Sequence, residues 1–273
     1  MGNRIYPKTD EDLCGLDKLE PFINEGLEIQ LLRDDDRVIR TIPQTLKNKF
    51  PNLKEITFHL PMYCCDIDKI LVNVDLYRYM SKVIERATAV SNILGIKINI
   101  LAHCGIHLQT LEDMNIKNKF LYLLRKLEFS DVLILLENTW SVLEVPIKRE
   151  QAYSVVKGIN HDNLKMCLDI CHVHTVINML QRDMSYIEVL FENDNLKDIV
   201  HQIHFSATLN NDGFKDLNNT HSKPYPDKQS MLDDIRVLEV LGCGEAAYVT
   251  EVVEPDYNSR ELELKLLNML TEI

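Results

Sequence analysis

The chain has 273 residues, 45% of them hydrophobic, with a formal net charge of −12. That charge excludes a broadly basic nucleic-acid surface, while leaving room for a local patch that holds phosphate. Nine glycines and nine prolines exclude fibrous and low-complexity classes. Seven cysteines, an odd number that includes the adjacent pair Cys64–Cys65, point to reduced thiols rather than a disulfide framework. With no basic-then-apolar opening and no apolar run of membrane length, the expectation is a soluble cytoplasmic protein, one domain over residues 1–273.

In chain order, residues 3–6 read as a short first strand and Leu13 to Ile23 as a helix ended near Gly26. Leu27–Leu32 is the second strand, Arg33 to Arg40 a charged loop, and Ile42–Phe50 a helix. Glu55–Leu60 is the third strand. Asp75–Gly95 is the clearest helix, with Leu76, Tyr79, Met80, Val83, Ala87, Val90 and Leu94 on one stripe and Gly95 suited to its C-cap. Ile96–Ala102 is a fourth strand, Lys117–Glu128 a helix, Val132–Leu136 a fifth strand, Glu150–Lys157 a helix and Leu164–Leu168 a sixth strand. Tyr186–Phe191 is helical, Val200–Phe205 a seventh strand, Met231–Leu241 a helix, Tyr248–Val253 an eighth strand and Glu261–Leu270 the last helix. Nearly continuous apolar strands alternating with amphipathic helices describe a parallel sheet covered on both faces. Eight such units in this length predict an α/β fold, a (β/α)8 TIM barrel. A doubly wound open sheet would carry a G-x-G-x-x-G turn, which the sequence lacks.

The chemistry is carried by the polar residues that interrupt the strands near their C-terminal ends. The third strand gives His59, the fourth His103, the fifth Glu137, the sixth Asp169 with His172 three residues on, the seventh His204 and the eighth Glu251. A lone histidine or carboxylate in an apolar strand is more often a satisfied core group. Six consecutive strands repeating the event at one end are not six accidents. In a closed parallel barrel these ends converge on the active-site face. Carboxylates and imidazoles together suit Zn, Mn or Fe, and a cation relieves the crowding of their charges.

Other residues have plainer readings. His107 and His161 belong to loops or surface, His174 to the helix after the sixth strand, and His201 points opposite to His204 by strand period. The cysteines are small core fillers. Trp140 stands close enough to Glu137 to wall a pocket. Arg33, Arg37, Arg40, Lys47 and Lys49 are a solvated charge run, with Asp34, Asp35 and Asp36 among them.

These motifs resemble the xylose-isomerase-like TIM-barrel superfamily, and within it the endonuclease IV branch, the family 2 AP endonucleases of DNA repair. Glu137-Asn138-Thr139 looks like that branch's Glu-Asn-Thr segment. Cys167-Leu168-Asp169-Ile170-Cys171-His172 is similar to its Cys-Ile-Asp-Thr-Cys-His segment, and His103-Cys104-Gly105 to its His-Pro-Gly segment. The resemblance spans roughly residues 55 to 255 and implies a trinuclear zinc centre. His59 and His103 would bind one metal, bridged by Glu137 to a second that Asp169, His204 and Glu251 complete. His172 and His221 would hold the third. The branch has an Asp two residues before that last histidine; here the position is Asn219, leaving Asp216 or Asp227 as substitutes. Ser222-Lys223-Pro224-Tyr225-Pro226 replaces the Gly-rich segment that normally follows. Met62 and Tyr63 lie near, but out of register with, the residues such enzymes push into a DNA duplex.

The resemblance therefore implies a hydrolase of phosphodiesters, with abasic DNA as a substrate, two or three Zn2+, catalytic Glu137 and Glu251, and substrate contacts from Trp140 and Tyr63. The alternative is a sugar or sugar-phosphate isomerase or epimerase. Those relatives use only the set corresponding to Glu137, Asp169, His204 and Glu251, around one Mn2+ or Co2+. A third reading is a barrel that kept the metal site and lost its activity.

Overall fold

The computed structural model describes residues 4–106, 108–139, 151–207 and 223–273. Its elements are β1 (Arg4–Tyr6), β2 (Lys8–Asp10), α1 (Leu16–Leu19), β3 (Gly26–Gln30), α2 (Val38–Lys49), β4 (Glu55–His59), α3 (Ile67–Val72), α4 (Val74–Leu94), β5 (Lys97–His103), α5 (Met114–Arg125), β6 (Val132–Glu137), α6 (Gln151–Ile159), β7 (Leu164–Asp169), α7 (Ile170–Met179), α8 (Tyr186–Leu190), β8 (Val200–Phe205), α9 (Lys228–Val240), β9 (Ala247–Thr250) and α10 (Glu261–Thr271). The strands form a nine-membered sheet in the order β1-β9-β8-β7-β6-β5-β4-β3-β2, parallel throughout.

The two edges of that sheet are consecutive in the chain. β1 pairs with β9 and β2 pairs with β3, and Pro7 alone separates them. Proline has no N–H to give a ladder, so it breaks the strand. Its carbonyl still accepts from Glu28 N at 3.0 Å. Counted as one interrupted strand, β1 and β2 close an eight-position α/β TIM barrel. The first strand thus runs past residue 6, to Asp10.

Several boundaries differ from expectation for local reasons. α2 begins at Val38, four residues before the expected start at Ile42, and holds Pro43 in its second turn. A short helix, α3, fills the segment before α4. α4 itself is capped at both ends: the Asn73 side chain accepts from Asp75 N and Leu76 N, and Gly95 closes it at φ 60°. His172 lies in the first turn of α7 rather than in a loop, because Asp169 ends β7 and caps that helix. Among the described residues no helix is long and apolar enough to cross a membrane.

The barrel interior divides by chemistry. Leu101, Leu135 and Cys167 form one apolar cluster inside it, and Tyr6, Ala247 and Val249 another. Between them runs a buried polar chain. Asn99 Nδ2 donates to Glu55 Oε1 (2.6 Å) and Thr57 Oγ1 (3.0 Å), Thr57 donates to Gln202 Oε1 (2.7 Å), and Gln202 Nε2 lies 2.5 Å from Glu28 Oε2. His201 joins it, contrary to its expected outward direction. The β7–β8 register shifts between Met166 and Cys167, so His201 is the extra residue of a bulge, and its Nε2 lies 2.6 Å from Glu55 Oε1.

Candidate metal centre

Strand register brings the polar strand ends together. His103 stands opposite Glu137, and Asp169 opposite His204. Three groups of metal-ligating atoms form among the described residues, each with its atoms within 4.8 Å of one another: His59, His103 and Glu137; Glu137, Asp169, His204 and Glu251; and Cys65, Asp66 and His103. Glu137 belongs to the first two. Its Oε2 is 3.3 Å from His59 Nε2 and 3.6 Å from His103 Nε2, while its Oε1 is 3.5 Å from His204 Nδ1.

The hydrogen bonds show which nitrogens face inward with lone pairs. His59 Nδ1 lies 2.9 Å from Leu60 O and 3.2 Å from Gln30 Nε2; with its proton given to the carbonyl, which only accepts, Nε2 faces Glu137 with its lone pair. His204 Nε2 donates to the Glu28 carboxylate at 2.9 Å, which leaves Nδ1 bare. That Nδ1 is 2.8 Å from Glu251 Oε2. Glu137 Oε2, His204 Nδ1 and Glu251 Oε2 are all buried with no hydrogen-bond partner. Acceptors facing acceptors are stable with a cation or an added proton between them, so the donor set fits a bound metal.

Without a metal, an added proton on His204 compensates these anions. Burial raises the Glu137 carboxyl, but His204 and His103 outweigh it and hold it well below the usual range. Burial lowers His204, yet the surrounding anions, Glu251 and Glu28 among them, lift it well above an ordinary histidine. His59 goes down, through burial and repulsion from Lys8.

Asn138 locks the neighbouring strand end. Its Oδ1 accepts from Asp169 N at 2.7 Å, its Nδ2 donates to Asp169 O at 3.0 Å, and its carbonyl accepts from His172 Nδ1 at 2.7 Å. His172 Nδ1 is also 3.2 Å from Asp169 and 3.5 Å from Glu137. This face of His172 carries the proton, so its Nδ1 is not a metal ligand. No group of ligating atoms among the described residues includes His172. His221, Asn219, Asp216 and Trp140 lie outside the described residues. Asp227 is engaged elsewhere, as the N-cap that accepts from Ser230 N at 2.8 Å.

Tyr63 and Met62 are exposed on the loop after β4, with the Tyr63 hydroxyl 2.9 Å from Asp34 N. The nearby cations are occupied: Arg33 pairs with Glu11 and Asp12, Arg37 with Asp35 and Lys49 with Glu20, while Lys47 donates to the carbonyls of Pro51 and Leu53. His174 lies on α7 as expected and bonds Asp234 at 2.8 Å. None of the seven cysteines forms a disulfide. Cys65 is more than filler, with its Sγ 3.2 Å from His103 Nδ1 and Asp66 Oδ1 3.7 Å from the same atom.

Two residues of this site escape sequence inspection. Glu28 interrupts an apolar strand as the others do, but in its middle rather than at its end. Lys8 follows Pro7, beyond the first strand as read. Both point into the barrel, paired across β2 and β3. The Lys8 ammonium is 2.7 Å from Glu28 Oε1 and 2.6 Å from Glu251 Oε1.

A family model described as xylose isomerase-like TIM barrel matches residues 15–244. The chain belongs to that family. Searching the curated proteins finds no match. Solved structures of similar fold include a xylose isomerase domain protein from Planctomyces limnophilus, at TM-score 0.65 and 11% identity over 99% of this chain and 97% of that one. The IolI protein with a bound zinc atom superposes at TM-score 0.61, with 16% identity over 98% and 96% of the two chains. A D-tagatose 3-epimerase-like protein superposes at 0.59, with 14% identity over 98% and 99%. At these identities the likeness is one of fold.

Proposed function

We propose that this chain is a metal-dependent phosphodiesterase of the endonuclease IV type, working with two divalent cations held by the strand-end residues. The observation that supports this reading is the sharing of Glu137 between two groups of ligating atoms. A mononuclear isomerase needs only the second group; His59 and His103 then have no task. The chemistry of the donors, imidazole nitrogens and carboxylate oxygens without a required thiolate, favours zinc. In this reading His59 and His103 hold one ion, Asp169, His204 and Glu251 the other, and Glu137 spans them. When bound, such a pair supplies an activated water and stabilises the charge that develops on phosphorus. Glu137 fixes the spacing. Glu251, at the open edge of the site, orients the attacking water. His172, steadied by Asn138, is left to a third ion with His221 or to holding Asp169 in place. Tyr63, exposed on the loop after β4, and Trp140 would contact substrate, and damaged DNA is the substrate the branch suggests.

The second reading is a sugar or sugar-phosphate epimerase with one Mn2+, Co2+ or Zn2+ in the Glu137, Asp169, His204 and Glu251 group, where the two glutamates exchange a proton across an enediolate. That group is complete by itself, which favours it.

Anomalous scattering from crystals of the purified protein, with assays on bis(p-nitrophenyl) phosphate, an abasic duplex and D-tagatose, separates the two. Two ions flanking Glu137 and phosphodiester cleavage support the first. One ion and ketose epimerisation would replace it with the second.

A further inference from the structure

Among the described residues the site holds one cation of its own. Lys8 reaches into it from β2, next to Pro7, with its ammonium between Glu28 and Glu251. Its backbone is fixed from α10: Lys8 N donates to Glu263 Oε1 at 2.8 Å, and Arg260 Nη1 donates to Lys8 O at 3.0 Å. The same Glu263 oxygen accepts from Thr250, the residue before Glu251, at 2.8 Å. Arg260 is almost fully buried and adopts φ 55°, a left-handed conformation that a non-glycine residue holds only when its surroundings impose it. One buried clamp therefore sets both Lys8 and the strand end that carries Glu251.

Exposure shows which edge of the site meets solvent. The side chains of Glu28, Asp169 and His204 are 0% exposed, whereas Lys8 is 13% and Glu251 19% exposed. Among the described residues, a substrate arriving at the site first meets Lys8, Glu251 and His103, which is as exposed as Lys8. Charge then decides what kind of substrate is welcome. Among the described residues Glu28, Glu137, Asp169 and Glu251 bring four negative charges, which two divalent cations would balance, and Lys8 would then make the loaded site positive. An ammonium has three N–H donors; one goes to Glu251 Oε1 at 2.6 Å, and Glu28 Oε1 stands 2.7 Å away as an ion pair.

Resting on the phosphodiesterase reading, we propose that Lys8 contacts the anionic oxygen of the substrate. It would select a phosphodiester over an uncharged sugar at the same metals. A cation in a partly desolvated cleft is worth more to an anion than one in water, and arginine supplies the same charge while methionine supplies only the stem.

The test is calorimetric titration of the zinc-loaded wild type, Lys8→Met and Lys8→Arg with dimethyl phosphate and, separately, with D-fructose, alongside zinc content by elemental analysis. The expected result is equal zinc content in all three, with dimethyl phosphate affinity at least tenfold weaker in Lys8→Met, near wild type in Lys8→Arg, and D-fructose binding unchanged. The proposal is overturned if Lys8→Met binds dimethyl phosphate as tightly as wild type, if both ligands weaken equally, or if the variant loses zinc, which would make Lys8 a support for Glu251. A wild type that holds one zinc defeats the two-metal reading separately, since the Lys8 comparison is made within each ligand.

Discussion

His204 Nδ1 and Glu251 Oε2 stand 2.8 Å apart, both buried and neither with a hydrogen-bond partner. The proton of that imidazole is on the opposite nitrogen, given to Glu28 at 2.9 Å. Two lone pairs at this distance repel unless a cation or an added proton lies between them. Zinc should therefore stabilise the fold. At a free concentration one hundred times the dissociation constant, one bound ion adds about 2.7 kcal/mol. Thermal unfolding with and without chelator measures it, and an unchanged midpoint would refute metal binding here.

His204→Ala and Asp169→Asn should each lose metal and activity while the barrel still folds. The asparagine keeps the N-cap of α7, which accepts from His172 N at 2.9 Å. Asp169→Ala removes that cap as well and should cost about 1 kcal/mol more. Elemental analysis and circular dichroism check both points; full metal content in either variant contradicts the assignment.

Glu28→Gln should weaken zinc binding roughly 10–100-fold, the usual effect of losing a carboxylate behind a ligating histidine. Burial raises Glu28, but His204 and Lys8 hold it down at about 2, so it is an anion at any working pH. Competition with a chromophoric chelator gives the affinity, and a change under twofold would remove Glu28 from the centre's support.

His103→Ala separates the two functional readings. In a two-metal hydrolase it strips one ion, and phosphodiester cleavage collapses. In an epimerase it leaves the four-residue group intact, and turnover falls only modestly. Retained zinc stoichiometry in this variant would exclude the first reading.

Asn219→Asp should raise zinc occupancy at a third site with His172 and His221, because it restores a charged oxygen donor. Identical zinc titrations of the two proteins would show that position 219 does not face such a site. Asp216 is then the remaining acidic substitute, as Asp227 caps α9.

At the opposite face, Glu55 binds His201, Asn99, Arg4 and Tyr6. Burial pushes its carboxyl up, but these partners bring it down to about 2 from 4.5. A depressed carboxylate stabilises the fold above its unfolded value and loses that contribution as pH falls through the folded one. Stability of the metal-free protein should fall between about 4.5 and about 2, and less steeply in Glu55→Gln. Parallel pH curves for the two would deny Glu55 this role.

Much of this was legible in the sequence because parallel barrels leave a simple record. Strands covered on both faces read as apolar runs, so a polar residue at an end is conspicuous. The same geometry sends every such end to one face, which is how His59, His103, Glu137, Asp169, His204 and Glu251 could be gathered without coordinates. Only the tertiary structure placed Glu28, Lys8 and His201. Glu28 sits mid-strand, where one carboxylate in an apolar run looks like any satisfied core group. Lys8 lies beyond a proline that ends a strand locally, and its strand exists because β3 supplies the pairing partner. His201 turns inward through a bulge that depends on the register of β7 against β8. Each of the three depends on a neighbour distant in sequence. Periodicity records which way a residue points along its own strand, and cannot record what another strand does to it.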